Sequence, residues 1–354
     1  MSDHTRRVEA ALHAVALACR VCRAVQTRRE AIVSASKDDK SPVTVADFAS
    51  QAVVAHTLQL ALGKVTLVGE EDSAMLRERM AAGDRTLIDA VVDAARLAWP
   101  EASADAVLSA IDVGNAEPPV RAGHGGHGGH GGHADQLHGF WTLDPIDGTK
   151  GFLRGEQYAV SLAWIEGPAP IIGVLGCPNL SRDFSRPFDD PDPSGVIYFA
   201  QRGGGVYELP ADDPAAHPVH IRRLAPAEGE PVRMCESVEA AHSDHSASER
   251  VLEKLGEPDE PARLDSQAKY AVVARGQADI YLRLPSKKGY VERIWDHAAG
   301  ALVAVEAGCA VTDARGMPLD FSHGRGLEKN SGILVAPPAL HGLALRAIGE
   351  VLGG

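Results

Sequence analysis

The chain lacks most of the features that would assign it to a membrane, secreted or nucleic-acid-coating class. No apolar run approaches the ~20 residues that a membrane-spanning helix needs, so no helical membrane protein is expected. Cysteine is sparse: five in 354 residues, at positions 19, 22, 177, 235 and 309. An odd number in a long chain argues against a disulfide framework and for a reducing compartment. Cys19 and Cys22 form a C-x-x-C, but they sit in a helical apolar stripe with no second cysteine or histidine pair nearby. They read as buried core thiols rather than a redox or zinc site. Basic residues are in deficit: 35 Lys and Arg against 48 Asp and Glu leave a formal charge of −13. That surface repels nucleic acid polymers, although local basic groups can still hold a small phosphorylated ligand. Met1 to Arg7 is polar and lacks both the apolar core of a secretory signal and the acid-poor leader of an import sequence. Cytosol is the expected compartment, with nuclear entry left open, and no internal repeat is visible.

What is present reads as mixed helix and strand. Val8, Leu12, Val15, Cys19, Cys22 and Gln26 step at helical spacing. Thr44 and Asp47 make a helix start of the capping-box type that runs to Gly63. Lys64 to Val68 reads as a strand ending in Gly69-Glu70-Glu71-Asp72, and Arg85 to Trp99 and Ser103 to Val113 read as helices. Tyr158 to Ile165 and Ile171 to Gly176 form a hairpin, with a second strand pair at Val196 to Ala200 and Val206 to Leu209. Beyond that, strands near Val232 to Cys235, at Asp279 to Leu284, Ala310 to Thr312 and Ile333 to Ala336 alternate with helices at Ser246 to Leu255, Ser266 to Arg275, His297 to Ala307 and Pro337 to Leu352. The class is α+β or layered α/β. The expected division is an N-terminal α+β domain, 1–190, and a C-terminal α/β domain, 191–354. Between 117 and 138, His124, His127, His130 and His133 are separated by Gly-Gly. Glycine at that density reads as a flexible insertion, with a metal-binding tract as the alternative.

The chemistry concentrates in Asp144-Pro145-Ile146-Asp147-Gly148-Thr149-Lys150. Two carboxylates flank Ile146 on a proline-containing turn, where the Ile146 carbonyl can join them around a hard cation. The N–H groups of Gly148 and Thr149 follow, suited to phosphate oxygens. Glu70 ends a strand, Asp47 stands in the first turn of a helix, and Asp296 precedes one. Taken singly, such acids are commonly caps and dipole partners. Together around a phosphate-type motif they point to metal-assisted phosphate ester chemistry. Lys150 reads either as a phosphate contact or as a solvated surface lysine.

Asp144 to Thr149 resembles the D-P-[IL]-D-G-[ST] signature of the lithium-sensitive, magnesium-dependent phosphomonoesterases that include inositol monophosphatase. Gly69-Glu70-Glu71 resembles their G-E-E element, and Trp295-Asp296-His297-Ala298-Ala299-Gly300 their W-D-x-A-[AG]-G element. Val43 to Phe48, Lys150 to Tyr158, Gly173 to Asn179, Leu264 to Tyr270 and Asp279 to Pro285 are similar to the 3′(2′),5′-bisphosphate nucleotidase branch. The resemblance implies a layered α-β-α-β-α sugar-phosphatase-type fold and a monomeric enzyme needing two or three Mg²⁺ ions. It implies removal of the 3′-phosphate from adenosine 3′,5′-bisphosphate (PAP), with the sulfated form PAPS as a further substrate. It makes Glu70, Asp144, the Ile146 carbonyl, Asp147 and Asp296 magnesium ligands, and Asp47 and Thr149 a water-orienting pair. Gly148, Thr149 and Asp296 then face the phosphate, His242 faces the adenosine, and Ser266, Lys269 and Arg283 hold the 5′-phosphate and ribose side. Two rivals remain: an inositol phosphatase acting on inositol 1,4-bisphosphate or a monophosphate, and a binding protein that works through its His/Gly tract.

Overall fold

The computed structural model describes residues 3–28, 45–119, 139–222, 231–239, 244–256, 260–285 and 289–353. Thr44, His242 and the His/Gly tract lie outside them. The first helical stripe is α1, Asp3–Thr27, packed on α2, Val45–Leu62. Gly63 ends α2 as the sequence suggests: its N–H reaches the Gln59 carbonyl at 2.9 Å and its φ is +79°. Three short helices follow, α3 at Ala74–Ala81, α4 at Thr86–Ala95 and α5 at Ala104–Asp112. The sequence pattern does not announce α3, because Leu76 is its one buried residue and no stripe forms.

A seven-stranded sheet carries the site. Its order is β1 (Leu67–Gly69), β2 (Phe140–Asp147), β3 (Ala159–Glu166), β4 (Ala169–Cys177), β5 (Val196–Gln201), β6 (Gly205–Pro210) and β7 (Val219–Ile221). β1 runs parallel to β2 and the remaining pairs are antiparallel. A second sheet of five strands uses β8 (Met234–Glu236), β9 (Ala262–Arg263), β10 (Ile280–Arg283), β11 (Ala310–Thr312) and β12 (Ile333–Ala336), in the order β11-β12-β10-β8-β9. The expected division at residue 190 falls between β4 and β5, which pair directly in one sheet. The chain changes sheet later, between Ile221 and Met234.

Helices fill the spaces around these sheets. α1 and α2 pack on the seven-stranded sheet. After the short α6 (Thr149–Arg154), α7 (His245–Glu253) and α10 (Pro338–Leu352) pack on each other outside the five-stranded sheet. Between the sheets lie α8 (Ala268–Ala274) and α9 (Ala298–Glu306), almost wholly buried. This is the layered α-β-α-β-α architecture. All five cysteines are free and buried, Cys19 and Cys22 as their helical spacing implies. Among the described residues no helix is long and apolar enough to cross a membrane.

The middle layer closes tightly because α9 carries Gly300. A Cβ there would stand 2.4 Å from the Tyr270 ring. Tyr270 cannot step aside easily, since its hydroxyl is paired with His297 Nδ1 at 2.8 Å and its ring meets Tyr281 edge-on. Gly300→Ala is therefore expected to destabilise the fold by about 1–3 kcal/mol, overpacking outweighing the gain in helix propensity. A lower midpoint in urea unfolding is the expected reading; an unchanged or higher one would show that the layer has slack.

Candidate active site

The Asp144 to Asp147 stretch is the end of β2 rather than a free turn, and the irregularity sits inside the strand. Pairing with β3 is regular to Asp144 and shifts register before Asp147. Pro145 has no N–H to give the ladder, which explains the break. Its carbonyl accepts from Ser50 Oγ at 3.0 Å, tying the bulge to α2. The Ile146 N–H folds back onto Asp144 Oδ1 at 3.1 Å. The bulge lets Asp144 and Asp147 both meet the space at the strand end.

Asp147 crosses to the other half of the molecule, where its Oδ2 accepts from the Gln267 N–H at 2.6 Å. Gln267 also ties in the Trp295-Asp296 segment: its Nε2 donates to the Trp295 carbonyl at 2.8 Å, and its Oε1 accepts from the Gly300 N–H at 2.9 Å. Gly148 follows with φ +85°, and a Cβ on it would stand 3.0 Å from the Ser266 Cβ. Glycine here serves both the left-handed backbone and the close approach of the Ser266 segment. Ser266 itself has φ +71°, uncommon for a residue with a side chain. It precedes α8 instead of standing in it, so the helix expected from Ser266 begins only at Ala268.

One cavity of about 300 Å³ gathers these elements. Glu70, Asp144, Ile146, Asp147 and Asp296 line it, as do Gly148, Thr149, Ser266, Lys269 and Arg283. Two larger surface cavities, of about 520 and 830 Å³, lie elsewhere and do not contain the acidic cluster. Asp47 is not on the cavity lining; it is buried in the first turn of α2, close enough for its charge to act on Glu70 and Glu71. The Thr149 hydroxyl donates to the Ile146 carbonyl at 3.3 Å.

The acids raise one another. Burial, then the charges of Glu70, Asp147 and Asp296, push the Asp144 carboxyl well above its usual range. Glu70 is also pushed up, by its crowded surroundings first and then by Asp296 and Glu71, although its side chain keeps exposed surface toward the cavity. Burial carries Asp296 up to about 6 and Glu71 to about 8. Four carboxylates facing one space suit hard divalent cations, which take oxygen ligands. Magnesium therefore fits the donor set, with Glu70, Asp144, Asp147, Asp296 and the Ile146 carbonyl as the residues that would hold it. Glu292, Asp296 and His297 also bring ligand atoms within 4.8 Å of one another. That second grouping is a poor cation site, because Glu292 is already ion-paired to Arg283.

The cations Lys269 and Arg283 line the same cavity. Lys269 is 2 % exposed, and its Nζ donates to the carbonyls of Ser266 at 2.7 Å and Leu264 at 3.1 Å. It is not a solvated surface lysine. Arg283 pairs with a buried carboxylate, Glu292, rather than with a surface one. Lys150 is exposed and pairs with Glu239 at 2.8 Å. Arg154 joins the same Glu239 at 3.0 Å and also contacts Asp265. Glu239, Asp265, Gln267 and Glu292 were not legible as site residues. Glu239, Asp265 and Gln267 act through partners distant in sequence, and Glu292 through Arg283 from outside any regular element; neither spacing nor periodicity reports such pairings.

The inositol monophosphatase family model matches residues 122–352 of this chain. A 3′(2′),5′-bisphosphate nucleotidase of Schizosaccharomyces pombe is 42% identical, with 85% of this chain and 82% of that protein covered. 3′(2′),5′-Bisphosphate nucleotidase 1 of Arabidopsis thaliana is also 42% identical, over 98% of this chain and 96% of its own. Among solved structures, an IMPase of Thermotoga maritima has a TM-score of 0.59 at 17% identity, covering 98% of both chains. Inositol monophosphatase from Anabaena has a TM-score of 0.58 at 17% identity, covering 99% of this chain and 97% of that one. At that identity the structural likeness speaks to the fold, and the fold, the family model and the curated relatives agree: the chain belongs to the inositol monophosphatase family, beside its 3′(2′),5′-bisphosphate nucleotidases.

Proposed function

We propose that this protein is a magnesium-dependent phosphomonoesterase that hydrolyses the 3′-phosphate of PAP to give AMP and phosphate, and that it also accepts PAPS. The observation that carries this reading is the lining of a single cavity. Glu70, Asp144, Asp147 and Asp296 share it with Lys269 and Arg283. A substrate with one phosphate to be cleaved and another to be held matches both sets of groups. The names of the curated relatives support the same choice.

In this reading the Gly148 and Thr149 N–H groups bind oxygens of the 3′-phosphate. Asp47 and Thr149 orient a water, whose oxygen bonds to phosphorus as the bond from phosphorus to the 3′-oxygen breaks. The attacking water gives up one proton as it bonds to phosphorus, and the departing 3′-oxygen takes up one, so that it leaves as the hydroxyl of AMP with no net proton change. Magnesium held by Glu70, Asp144, Asp147, Asp296 and the Ile146 carbonyl supplies Lewis-acid stabilisation of the charge that develops. Ser266, Lys269 and Arg283 hold the 5′-phosphate and ribose side, and His242 is assigned to the adenosine. Lithium is expected to inhibit by competing for a magnesium position. Phosphate release with magnesium present, compared as kcat/KM on PAP and on inositol 1-phosphate, tests the assignment. PAP is expected to be the better substrate, and a preference for inositol 1-phosphate would overturn it in favour of an inositol phosphatase.

A further inference from the structure

A single buried carboxylate contacts both Arg283, on the cavity wall, and His297, the neighbour of Asp296. Glu292 lies between β10 and α9 and is 3 % exposed. Its Oε1 accepts from Arg283 Nε at 2.9 Å, and its Oε2 lies 2.7 Å from Arg283 Nη2. The same Oε2 is 3.2 Å from His297 Nε2, and His297 Nδ1 is 2.8 Å from the Tyr270 hydroxyl. Tyr270 meets Tyr281 edge-on with ring centroids 5.0 Å apart, and Lys269 Nζ stands 5.3 Å from the centre of the Tyr281 ring. Glu292 is thus joined directly to Arg283 and to His297, the residue that follows Asp296, and reaches Lys269 only by way of Tyr270 and Tyr281.

Two physical consequences follow for Arg283. A long cationic side chain has many rotamers, and ordering it only when ligand arrives costs affinity. The side-on, two-point contact with Glu292 removes that freedom beforehand. The guanidinium has five N–H donors, and Glu292 takes two of them, so donors remain for an anion in the cavity. The pairing also explains how Arg283 stays with its side chain only 11% exposed. An isolated charge at that depth would carry a desolvation penalty.

We propose that Glu292 is a positioning residue that sets the preference for substrates with a second phosphate, by locking the Arg283 guanidinium against the cavity wall. The inference rests on the bisphosphate reading above. Glu292 touches no reacting atom, and its effect reaches the substrate through Arg283.

Steady-state kinetics of Glu292→Gln on PAP and on 3′-AMP test it, because 3′-AMP keeps the scissile phosphate and lacks the 5′-phosphate. Both substrates are expected to lose rate, since Glu292 also meets His297 beside Asp296. The loss of kcat/KM on PAP is expected to exceed that on 3′-AMP by about tenfold, with the excess in KM. Glu292→Asp keeps the charge with a shorter reach and should recover part of the difference; where the Gln variant does not fold, the Asp variant carries the same comparison. A wild-type enzyme that does not prefer PAP to 3′-AMP sinks the bisphosphate reading and this inference with it. If the wild type does prefer PAP, an equal loss on both substrates makes Glu292 a purely structural tie. A lowered KM for PAP makes it a competitor for Arg283. Either result overturns this inference alone.

Discussion

Replacing Asp144 with Asn is expected to leave a folded protein that releases phosphate at least about a thousandfold more slowly. The fold should survive because both structural contacts of this side chain can be kept: Oδ1 takes the Ile146 N–H at 3.1 Å, as an amide oxygen can, and an amide N–H can meet Glu70. Asn also spares the cost of holding a proton on, or a charge at, a buried group crowded by Glu70, Asp147 and Asp296. Relieving like-charge repulsion favours the metal-free fold, so its thermal midpoint should hold or rise. The rate should collapse because a neutral amide would be a poor ligand for the magnesium that Asp144 would help to hold. Phosphate release from PAP at saturating magnesium, paired with thermal unfolding in chelator, separates the two effects. Turnover near that of the wild type would remove Asp144 from the metal site. A collapsed midpoint would instead make it a structural residue.

The first half of the site was legible because its residues are close in sequence. Asp144, Ile146, Asp147, Gly148 and Thr149 fall within six consecutive positions, so spacing alone brings them together. The bulge at Pro145 was misread as a turn, since a proline that interrupts a strand and one that starts a turn look alike without the partner strand. The second half was legible only through resemblance. Lys269 and Arg283 are ordinary cations in the chain, and what distinguishes them is burial and pairing. Lys269 donates to two carbonyls of its own loop, and Arg283 pairs with a glutamate nine positions away in no regular element. The two short strands Val219–Ile221 and Ala262–Arg263 were missed for a related reason: three residues or fewer carry no alternation to read. The mixed α/β class, by contrast, followed from element order, and the α-β-α-β-α layering came with the resemblance. The largely apolar runs of α8 and α9 suit helices held between two sheets.

Without metal, the protein is expected to lose stability as pH rises from about 5 to 8, the reverse of acid denaturation. The sign follows from which state holds the protons. Asp296 is raised to about 6 and Glu71 to about 8, while Glu70 and Asp144 lie well above their ordinary values. Between the unfolded and folded values the native state binds more protons than the unfolded one, so stability is fully present below about pH 4 and falls as each folded value is passed. Raising Asp296 from 3.8 to about 6 alone corresponds to ~3 kcal/mol. Carboxylates held below their usual range, such as Asp112 and Asp192, change stability only on the acid side of this window. His56 and His341, whose burial disfavours charging, pull the other way below 6.5, so pH 7 to 8 isolates the acidic cluster. Magnesium should reverse the trend, because it binds the ionised carboxylates and competes with protons for them. Thermal midpoints in chelator and in excess magnesium, taken at pH 5, 7 and 8, give both quantities. The magnesium-induced rise should be largest at pH 8, where the four carboxylates are most strongly driven to ionise and have least to offset one another. A chelated midpoint that climbs from pH 7 to 8, with a magnesium effect independent of pH, would mean that these acids are satisfied by the protein itself, and the cavity would lose its claim to a cation.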